Sequence, residues 1–230
     1  MTRIRPHIAV LLDENTSGDA SRYEASKNYF KAVYAAGGLP LGIPYFVEMV
    51  TSVACDFDGL VCVGGRFAYP DDWYVEGEKS RSPPSARLPV ERALMLAFLE
   101  RDKPVLGICA GMQMLGCLSG CRLAPDVKLI TAQALDHDRR GSLHEVAIHS
   151  GTRLAAIVDA STMEVNTLHR EALARTGSGV TVGAAAPDGI IEAIEIASQR
   201  FAVGLQWHQE AFAQDAHPGN AVFAAFVHAC

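Results

Sequence analysis

One cysteine lies in a local sequence typical of a catalytic nucleophile. The segment Gly107-Ile108-Cys109-Ala110-Gly111 places Cys109 where an apolar run meets a helix-like segment. A nucleophile on so tight a turn has a strained backbone and crowds the residues two positions away, so glycines there remove clashing Cβ atoms. The dipole of the following helix favours a thiolate, and the Ala110 N–H can face a developing oxyanion. We predict that Cys109 is a nucleophile; a small buried packing residue is the alternative.

A histidine and a glutamate follow the last strand-like run of the chain, which ends at Trp207. A parallel sheet presents functional groups at the C-terminal edge of its strands. His208 could take the thiol proton and return it to a leaving group, while Glu210 could hold the imidazole tautomer and stabilise its cation. A surface His-x-Glu pair has the same spacing, so the assignment depends on both motifs together.

The elements that must position these groups alternate between strand and helix. Strand-like runs cover 7–12, 39–44, 58–65, 104–108, 163–166, 180–185, 189–196 and 201–207, and helical spacing covers 22–36, 90–100, 110–118 and 220–228. This order predicts a mostly parallel sheet, with antiparallel pairing around Pro187-Asp188-Gly189. The proline-containing segment 66–89 predicts a long surface loop that could cover a substrate.

Composition narrows the class of protein. The 230 residues are 49% hydrophobic and 20% charged, which suits a globular protein with one core. A net charge of −6 without a basic run argues against nucleic acid as a partner. We find no signal-like N-terminus and no apolar stretch long enough to span a membrane, so we expect no membrane contact and a cytoplasmic location, where the six cysteines stay reduced.

With both motifs in place, the sequence resembles the class I glutamine amidotransferases, or triad glutaminases. Their pattern is a Gly-x-Cys-x-Gly elbow and a later Gly-x-Gln-x-His-Pro-Glu segment; this chain has Gly204-Leu-Gln-Trp-His-Gln-Glu210, with Gln209 where proline is usual. Segments 34–40, 58–65, 165–170 and 186–192 resemble the γ-glutamyl-γ-aminobutyrate hydrolase branch, or peptidase C26-like proteins. That branch tends to carry Arg-Asp-x-x-x-Glu before the elbow helix, where this chain has Arg87-Leu-Pro-Val-Glu91.

The resemblance implies a fold and further site residues. We expect an α/β fold, a flavodoxin-like three-layer sandwich around a mostly parallel central sheet, in one domain over residues 1–230. The Gly64-Gly65 turn is implied to supply a second oxyanion amide, at Gly65 beside Ala110. Gln113 matches a position that often contacts the glutamyl part of the substrate, and His169 matches the histidine of the branch's Asn-x-x-His segment. A helix-solvating Gln113 and a structural His169 are the alternatives.

The implied reaction is hydrolysis of a small γ-glutamyl amine, such as γ-glutamyl-γ-aminobutyrate, through a thioester on Cys109. His208 protonates the departing amine, and water releases glutamate. Neither motif supplies a set of metal ligands, so we expect no metal or cofactor in the reaction.

Three alternatives stay open at this point. The chain could be a glutaminase subunit that delivers ammonia to a separate synthetase partner, although it contains no phosphate-binding loop of its own. It could be an α/β-hydrolase with a cysteine nucleophile, but that fold places its acid before its histidine. It could also be a non-catalytic binding protein on the same fold. Neither motif determines the oligomeric state, so a homo-oligomer is compatible with the sequence.

Overall fold

The computed structural model describes residues 5–14 and 21–230 and has an α/β architecture. The strands are β1 (His7–Leu11), β2 (Asp13–Glu14), β3 (Tyr23–Glu24), β4 (Leu39–Ile43), β5 (Gly59–Cys62), β6 (Val105–Ile108), β7 (Arg122–Ala124), β8 (Leu143–Ile148), β9 (Thr162–Asn166), β10 (Ala172–Arg175), β11 (Val180–Ala185), β12 (Ile191–Ile196) and β13 (Ala202–Leu205). The helices are α1 (Lys27–Ala35), α2 (Val50–Asp56), α3 (Arg87–Glu100), α4 (Ala110–Leu118), α5 (Arg153–Val158) and α6 (Ala221–Ala229). Among the described residues, no helix is both long and apolar enough to cross a membrane.

The central sheet has nine strands in the order β4-β1-β5-β6-β13-β12-β11-β8-β9. The first five are parallel to one another, and the remaining four continue the sheet by antiparallel pairing. The predicted α/β fold with its large central sheet is confirmed, as is the antiparallel pair formed by β11 and β12. The parallel half contains both sequence motifs, because β6 leads into Cys109 and the neighbouring β13 leads towards His208.

Helices cover both faces of the sheet, which gives three layers. In β1, Ala9 and Leu11 face a core shared with α2, α3 and α4, whereas Ile8 and Val10 face a core shared with α1, α5 and α6. All four side chains are fully buried. Because both faces are covered, such strands are continuous apolar runs, and this is why they could be recognised in the sequence.

Two helices begin at other residues than the spacing predicts. Helix α1 begins at Lys27 rather than at residue 22, because the Ser26 side chain caps it by accepting from Asn28 N at 3.2 Å. The preceding Tyr23–Glu24 pairs with Asp13–Glu14 instead. Helix α3 begins at Arg87, three residues before the predicted start. Residues 1–4 of the predicted domain lie outside the described residues.

Residues 66–86 form a loop, as predicted, whereas residues 87–89 of the predicted loop belong to α3. The aromatic side chains of the loop are buried. Phe67, Tyr69, Trp73 and Tyr74 are between 3% and 7% exposed and belong to the core that α3 and α4 share. Tyr69 and Trp73 stack with ring centroids 5.7 Å apart. The loop therefore forms a packed wall beside the start of α4.

Candidate active site

The predicted nucleophile lies on a strained turn between β6 and α4. Cys109 has φ 52° and ψ −104°, a conformation that residues other than glycine rarely adopt. Its N–H donates to Leu205 O at 2.7 Å, which ties the turn to β13. A Cβ at Gly107 would lie 2.5 Å from the carbonyl group of Gly111, and a Cβ at Gly111 would overlap Cys62 O. The two glycines therefore allow α4 to begin directly against the sheet.

His208 and Glu210 lie at the same edge of the sheet as Cys109. Nδ1 of His208 is 2.7 Å from Glu210 Oε1, so this nitrogen donates to the carboxylate and fixes the ring. Burial on its own lowers the pKa of His208, but hydrogen bonds with Cys109 and Glu210, and the negative charges of both, raise it to about 11. The arrangement therefore favours the imidazolium form of His208 at neutral pH.

Side-chain hydrogen bonds hold the backbone around His208 where proline is usual in related sequences. Asn166 accepts from His208 N at 2.8 Å and donates to His208 O at 2.9 Å. Gln209 is fully buried; its Oε1 accepts from Trp207 Nε1 at 2.8 Å, and its Nε2 donates to Asn220 Oδ1 at 3.0 Å. These hydrogen bonds replace the rigidity that a proline ring would supply.

Gly64 and Tyr29 enclose the imidazole of His208. A Cβ at Gly64 would lie 2.5 Å from His208 Cε1, so only glycine leaves room for the ring. The Tyr29 hydroxyl accepts from Gly64 N at 3.0 Å and lies 3.5 Å from His208 Nδ1. Burial, and then the charge of Glu210, raise the pKa of Tyr29 well above its usual range, so the hydroxyl stays protonated. Tyr29 was not predicted as a site residue, because in the sequence it belongs only to the helical segment 22–36.

A buried ion pair holds the turn that precedes Gly65. The Arg87 guanidinium bonds to the Glu91 carboxylate through Nε (2.7 Å) and Nη2 (3.0 Å), and both side chains are fully buried. Nη1 donates to Gly64 O at 2.7 Å and Nη2 donates to Val63 O at 2.5 Å. Asp13 Oδ1 lies 3.3 Å from Nη1. This chain lacks the Asp of the related Arg-Asp-x-x-x-Glu stretch, but it keeps the arginine and an acidic partner for it, Glu91.

A small, narrow pocket lies beside the thiol. Gly65, Cys109, Gln113 and His169 all line it, so the structure brings four of the predicted site residues together. Ala110 follows Cys109 as the first residue of α4, and its N–H is one of the first four in the helix, which have no intrahelical acceptor.

Two of these lining residues are already bonded within the protein. Gln113 Nε2 donates to Glu171 O at 2.9 Å and to Gln206 Oε1 at 3.1 Å. His169 Nδ1 lies 3.1 Å from Glu171 O, and its Nε2 lies 3.4 Å from Glu192 Oε1. The ring nitrogens of His169 therefore face protein atoms, whereas Gln113 keeps its amide oxygen as a possible acceptor towards the cavity.

Charged side chains that the sequence analysis missed also line the cavity. They are Arg66, Arg170 and Glu171. The Glu171 carboxylate accepts from Tyr74 OH at 2.7 Å and from Ser80 Oγ at 3.2 Å. Burial raises its pKa, and these hydroxyl donors partly offset that effect. Glu171 lies in the His-Arg-Glu sequence just after the predicted His169, which was the available signal.

Comparison with known proteins places the chain in a family. The family model described as peptidase C26 matches residues 6–210. The chain belongs to the peptidase C26 family. The Escherichia coli O157:H7 protein named γ-glutamyl-γ-aminobutyrate hydrolase is 28% identical, over 98% of this chain and 93% of the relative. A glutamine amidotransferase-like protein of Rickettsia prowazekii is 27% identical, over 90% of this chain and 89% of its own.

A solved structure shares the fold of this C26 protein at low identity. It is the glutaminase domain of Trypanosoma brucei CTPS with bound acivicin, with a TM-score of 0.63 and 15% identity, over 97% of this chain and 94% of that one. The likeness confirms the glutamine amidotransferase-like fold. The family match and the hydrolase relatives support an amide-cleaving enzyme.

Proposed function

We propose that this C26 protein hydrolyses the γ-glutamyl amide bond of a small γ-glutamyl amine, with Cys109 as nucleophile. The observation that carries the proposal is that Cys109, on its strained turn, lies beside His208, whose Nδ1 bonds to Glu210. Acyl transfer requires a nucleophile, a base beside it and an acid that orients the base, and here these are Cys109, His208 and Glu210. A binding protein would have no need of the strain at Cys109.

Two backbone amides are suited to stabilise the oxyanion. The Ala110 N–H lies at the start of α4, next to the thiol. The Gly64 N–H is occupied by Tyr29, so the turn's free donor is the Gly65 N–H, which has no acceptor among the described residues. In a trans peptide the C=O and the following N–H point in opposite directions. Because Arg87 binds Gly64 O, the Gly65 N–H of the same peptide points away from the Arg87 guanidinium. Gly65 also lines the cavity beside Cys109.

The charges around the cavity suit the two charged groups of a γ-glutamyl substrate. Such a substrate carries an α-ammonium and an α-carboxylate beyond the reacting carbonyl. We assign the ammonium to Glu171 and the carboxylate to Arg170, whose buried Nε has no acceptor in the part of the chain that the structure describes. Arg66 is half-exposed and pairs with Asp138, so it lies at the solvent end of the cavity.

The reaction then has two halves. The thiolate adds to the γ-carbonyl, the carbonyl oxygen gains the negative charge, and the two amides stabilise it. The tetrahedral species collapses to a thioester as the C–N bond breaks and the His208 imidazolium gives its proton to the departing amine. A water molecule then gives a proton to His208 while the water oxygen attacks the thioester. Collapse releases glutamate and restores the thiolate and imidazolium.

The test measures glutamate release from a panel of γ-glutamyl amides and glutamine, with no other protein present. We expect cleavage of at least one γ-glutamyl amine, loss of that activity in Cys109→Ala, and retention in Cys55→Ala, which removes an exposed thiol. Acid-quenched samples should show a γ-glutamyl adduct on Cys109 by mass spectrometry. Undiminished turnover in Cys109→Ala would refute the proposal. Silence on every amide would favour a glutaminase that needs a synthetase partner.

A further inference from the structure

A group of buried histidines surrounds one carboxylate outside the proposed catalytic residues. Among the described residues, His137, His144 and Glu192 have ligand atoms that all lie within 4.8 Å of one another. His169 Nε2 lies 3.4 Å from the same carboxylate oxygen, Glu192 Oε1. The side chains of all four are at most 8% exposed. We call these four residues the histidine–glutamate cluster.

The cluster contains polar atoms that the protein leaves without partners. Both oxygens of Glu192, and Nε2 of His144 and of His169, are buried with no hydrogen bond to any described residue. A buried carboxylate without hydrogen bonds or a counter-charge is strongly unfavourable. Native proteins satisfy nearly all buried polar groups, and an exception of this kind points to a ligand that completes the site.

The distances within the cluster suit metal ligands better than hydrogen bonds. His137 Nδ1, His144 Nε2 and His169 Nε2 lie 3.3, 3.4 and 3.4 Å from Glu192 Oε1. Hydrogen bonds between an imidazolium and a carboxylate are shorter, about 2.7–2.9 Å. Ligand atoms placed tetrahedrally at about 2.0–2.1 Å from a zinc ion are about 3.3–3.4 Å apart. The separations of the His137 and His144 nitrogens from the Glu192 oxygen match that spacing.

Hydrogen bonds behind the rings orient two of the histidines with their lone pairs towards Glu192. His137 Nε2–H donates to Asp188 Oδ2 at 2.8 Å, and His169 Nδ1–H donates to Glu171 O at 3.1 Å. Thr167 Oγ1 lies 3.3 Å from His137 Nδ1 but donates to the backbone oxygen of His137 at 2.8 Å. Histidines that bind a metal characteristically donate their other N–H to a carboxylate or a backbone carbonyl.

We propose that the histidine–glutamate cluster binds one Zn²⁺ ion, with His137 Nδ1, His144 Nε2 and a Glu192 carboxylate oxygen as ligands. Two imidazole nitrogens and one carboxylate oxygen are a ligand set that suits zinc, with water in the fourth position. The ion joins β8 and β12 to the segment that carries His137, so its role is to hold this half of the sheet together. The proposal does not depend on the proposed reaction.

The first experiment measures zinc binding to untagged protein that carries Cys109→Ala, because the thiol and His208 could otherwise bind zinc themselves. The protein is stripped with a chelator, and Zn²⁺ is titrated against a competing chromophoric chelator. We expect one zinc ion per chain. His144→Ala should weaken the affinity by more than about 100-fold, and Asp188→Asn, which weakens the support behind His137, should weaken it by about 10- to 100-fold. His149→Ala, an exposed histidine bonded to Val182 O, is the matched control and should bind as tightly as its parent.

X-ray absorption of the zinc-loaded parent protein needs no variant to fold. A shell of nitrogen and oxygen at about 2.0–2.1 Å supports the proposal, whereas a sulfur at about 2.3 Å in protein with Cys109 intact would assign the zinc to another site. The proposal is overturned if the Cys109→Ala parent binds less than one zinc ion per chain at saturation. It is also overturned if folded His144→Ala binds zinc as tightly as the parent, or if His149→Ala loses as much zinc affinity as His144→Ala.

Discussion

The proposed role of Arg87 can be tested by replacing it with lysine, which keeps the charge but not the fork of donors. Arg87 uses three nitrogens for Glu91, Val63 O, Gly64 O and the more distant Asp13. A lysine ammonium has a single nitrogen and cannot reach both the carboxylate and the two carbonyls. Since the charge pair with Glu91 survives, the variant avoids the cost of a lone buried charge, about 3–5 kcal/mol.

The size of the effect follows from the hydrogen bonds that lysine cannot make. One or two buried carbonyl groups are left without a donor, and each unsatisfied group costs about 1–3 kcal/mol. We expect the free energy of unfolding to fall by about 2–4 kcal/mol, which for a chain of this length lowers the melting temperature by roughly 4–16 °C. If the freed Gly64–Gly65 peptide turns, the Gly65 N–H no longer faces the oxyanion. Losing one such donor costs about 10²- to 10³-fold in kcat, and KM should change little, because the donor acts mainly on the transition state.

The assay combines thermal unfolding with kcat and KM on the best γ-glutamyl amide of the panel. Arg92→Lys is the matched control, since Arg92 is an exposed residue of the same helix, and it should leave both measurements nearly unchanged. A folded Arg87→Lys protein with a lower melting temperature and unchanged kcat would refute the reasoning. The ion pair would then stabilise the fold without positioning the Gly65 amide.

Three further predictions concern other parts of the site. Glu210→Gln removes a negative charge that helps to raise the pKa of His208 to about 11, so the imidazolium is lost at lower pH and the alkaline limb of kcat/KM moves down. An unmoved limb in a pH–rate profile contradicts this role. Gly107→Ala brings a Cβ within 2.5 Å of the Gly111 backbone and should lower the free energy of unfolding in urea by at least about 1–3 kcal/mol. A Cβ at Gly179 meets nothing within 4 Å, so Gly179→Ala should be neutral. Equal urea midpoints for the two variants would refute the steric argument. Tyr29→Phe leaves the partly buried Gly64 N–H unpaired and should lower the free energy of unfolding in urea by about 1–3 kcal/mol. The exposed Tyr34→Phe should be neutral.

The strands of the parallel half of the fold could be predicted from the sequence because their constraints are local, although helix α2 (Val50–Asp56) between them was not predicted. Strands buried on both faces are continuous apolar runs, and the elbow glycines adjoin the cysteine that requires them. Helix α4 begins and ends where the spacing predicts. In contrast, β8 (Leu143–Ile148) and α5 (Arg153–Val158) were not predicted. Strand β8 has only two buried residues, and α5 has six residues, too few for a clear helical period.

The residues that complete the site were harder to predict because their partners are distant in sequence. Tyr29 meets Gly64 and His208 from α1, near the other end of the chain from His208. Glu171 is bonded by hydroxyls from the loop that precedes α3. Neither has a local motif that separates it from an ordinary buried tyrosine or a surface glutamate. Only the order of the strands in the sheet brings them to Cys109.

Gln209 shows why a departure from a family pattern need not weaken a site. Proline restricts one backbone dihedral through its own ring, an effect that needs no neighbours. Glutamine obtains the same restraint only from the fold: Trp207 and Asn220 hold its amide, and Gly219 lacks the Cβ that would overlap it. Hydrogen bonds from Gln209 to residues up to eleven positions away therefore compensate for the absent proline. Comparing the chain with the family motif position by position does not detect them. The histidine–glutamate cluster could not be predicted for the same reason: its histidines are distant in sequence, and only the antiparallel strands bring them around Glu192.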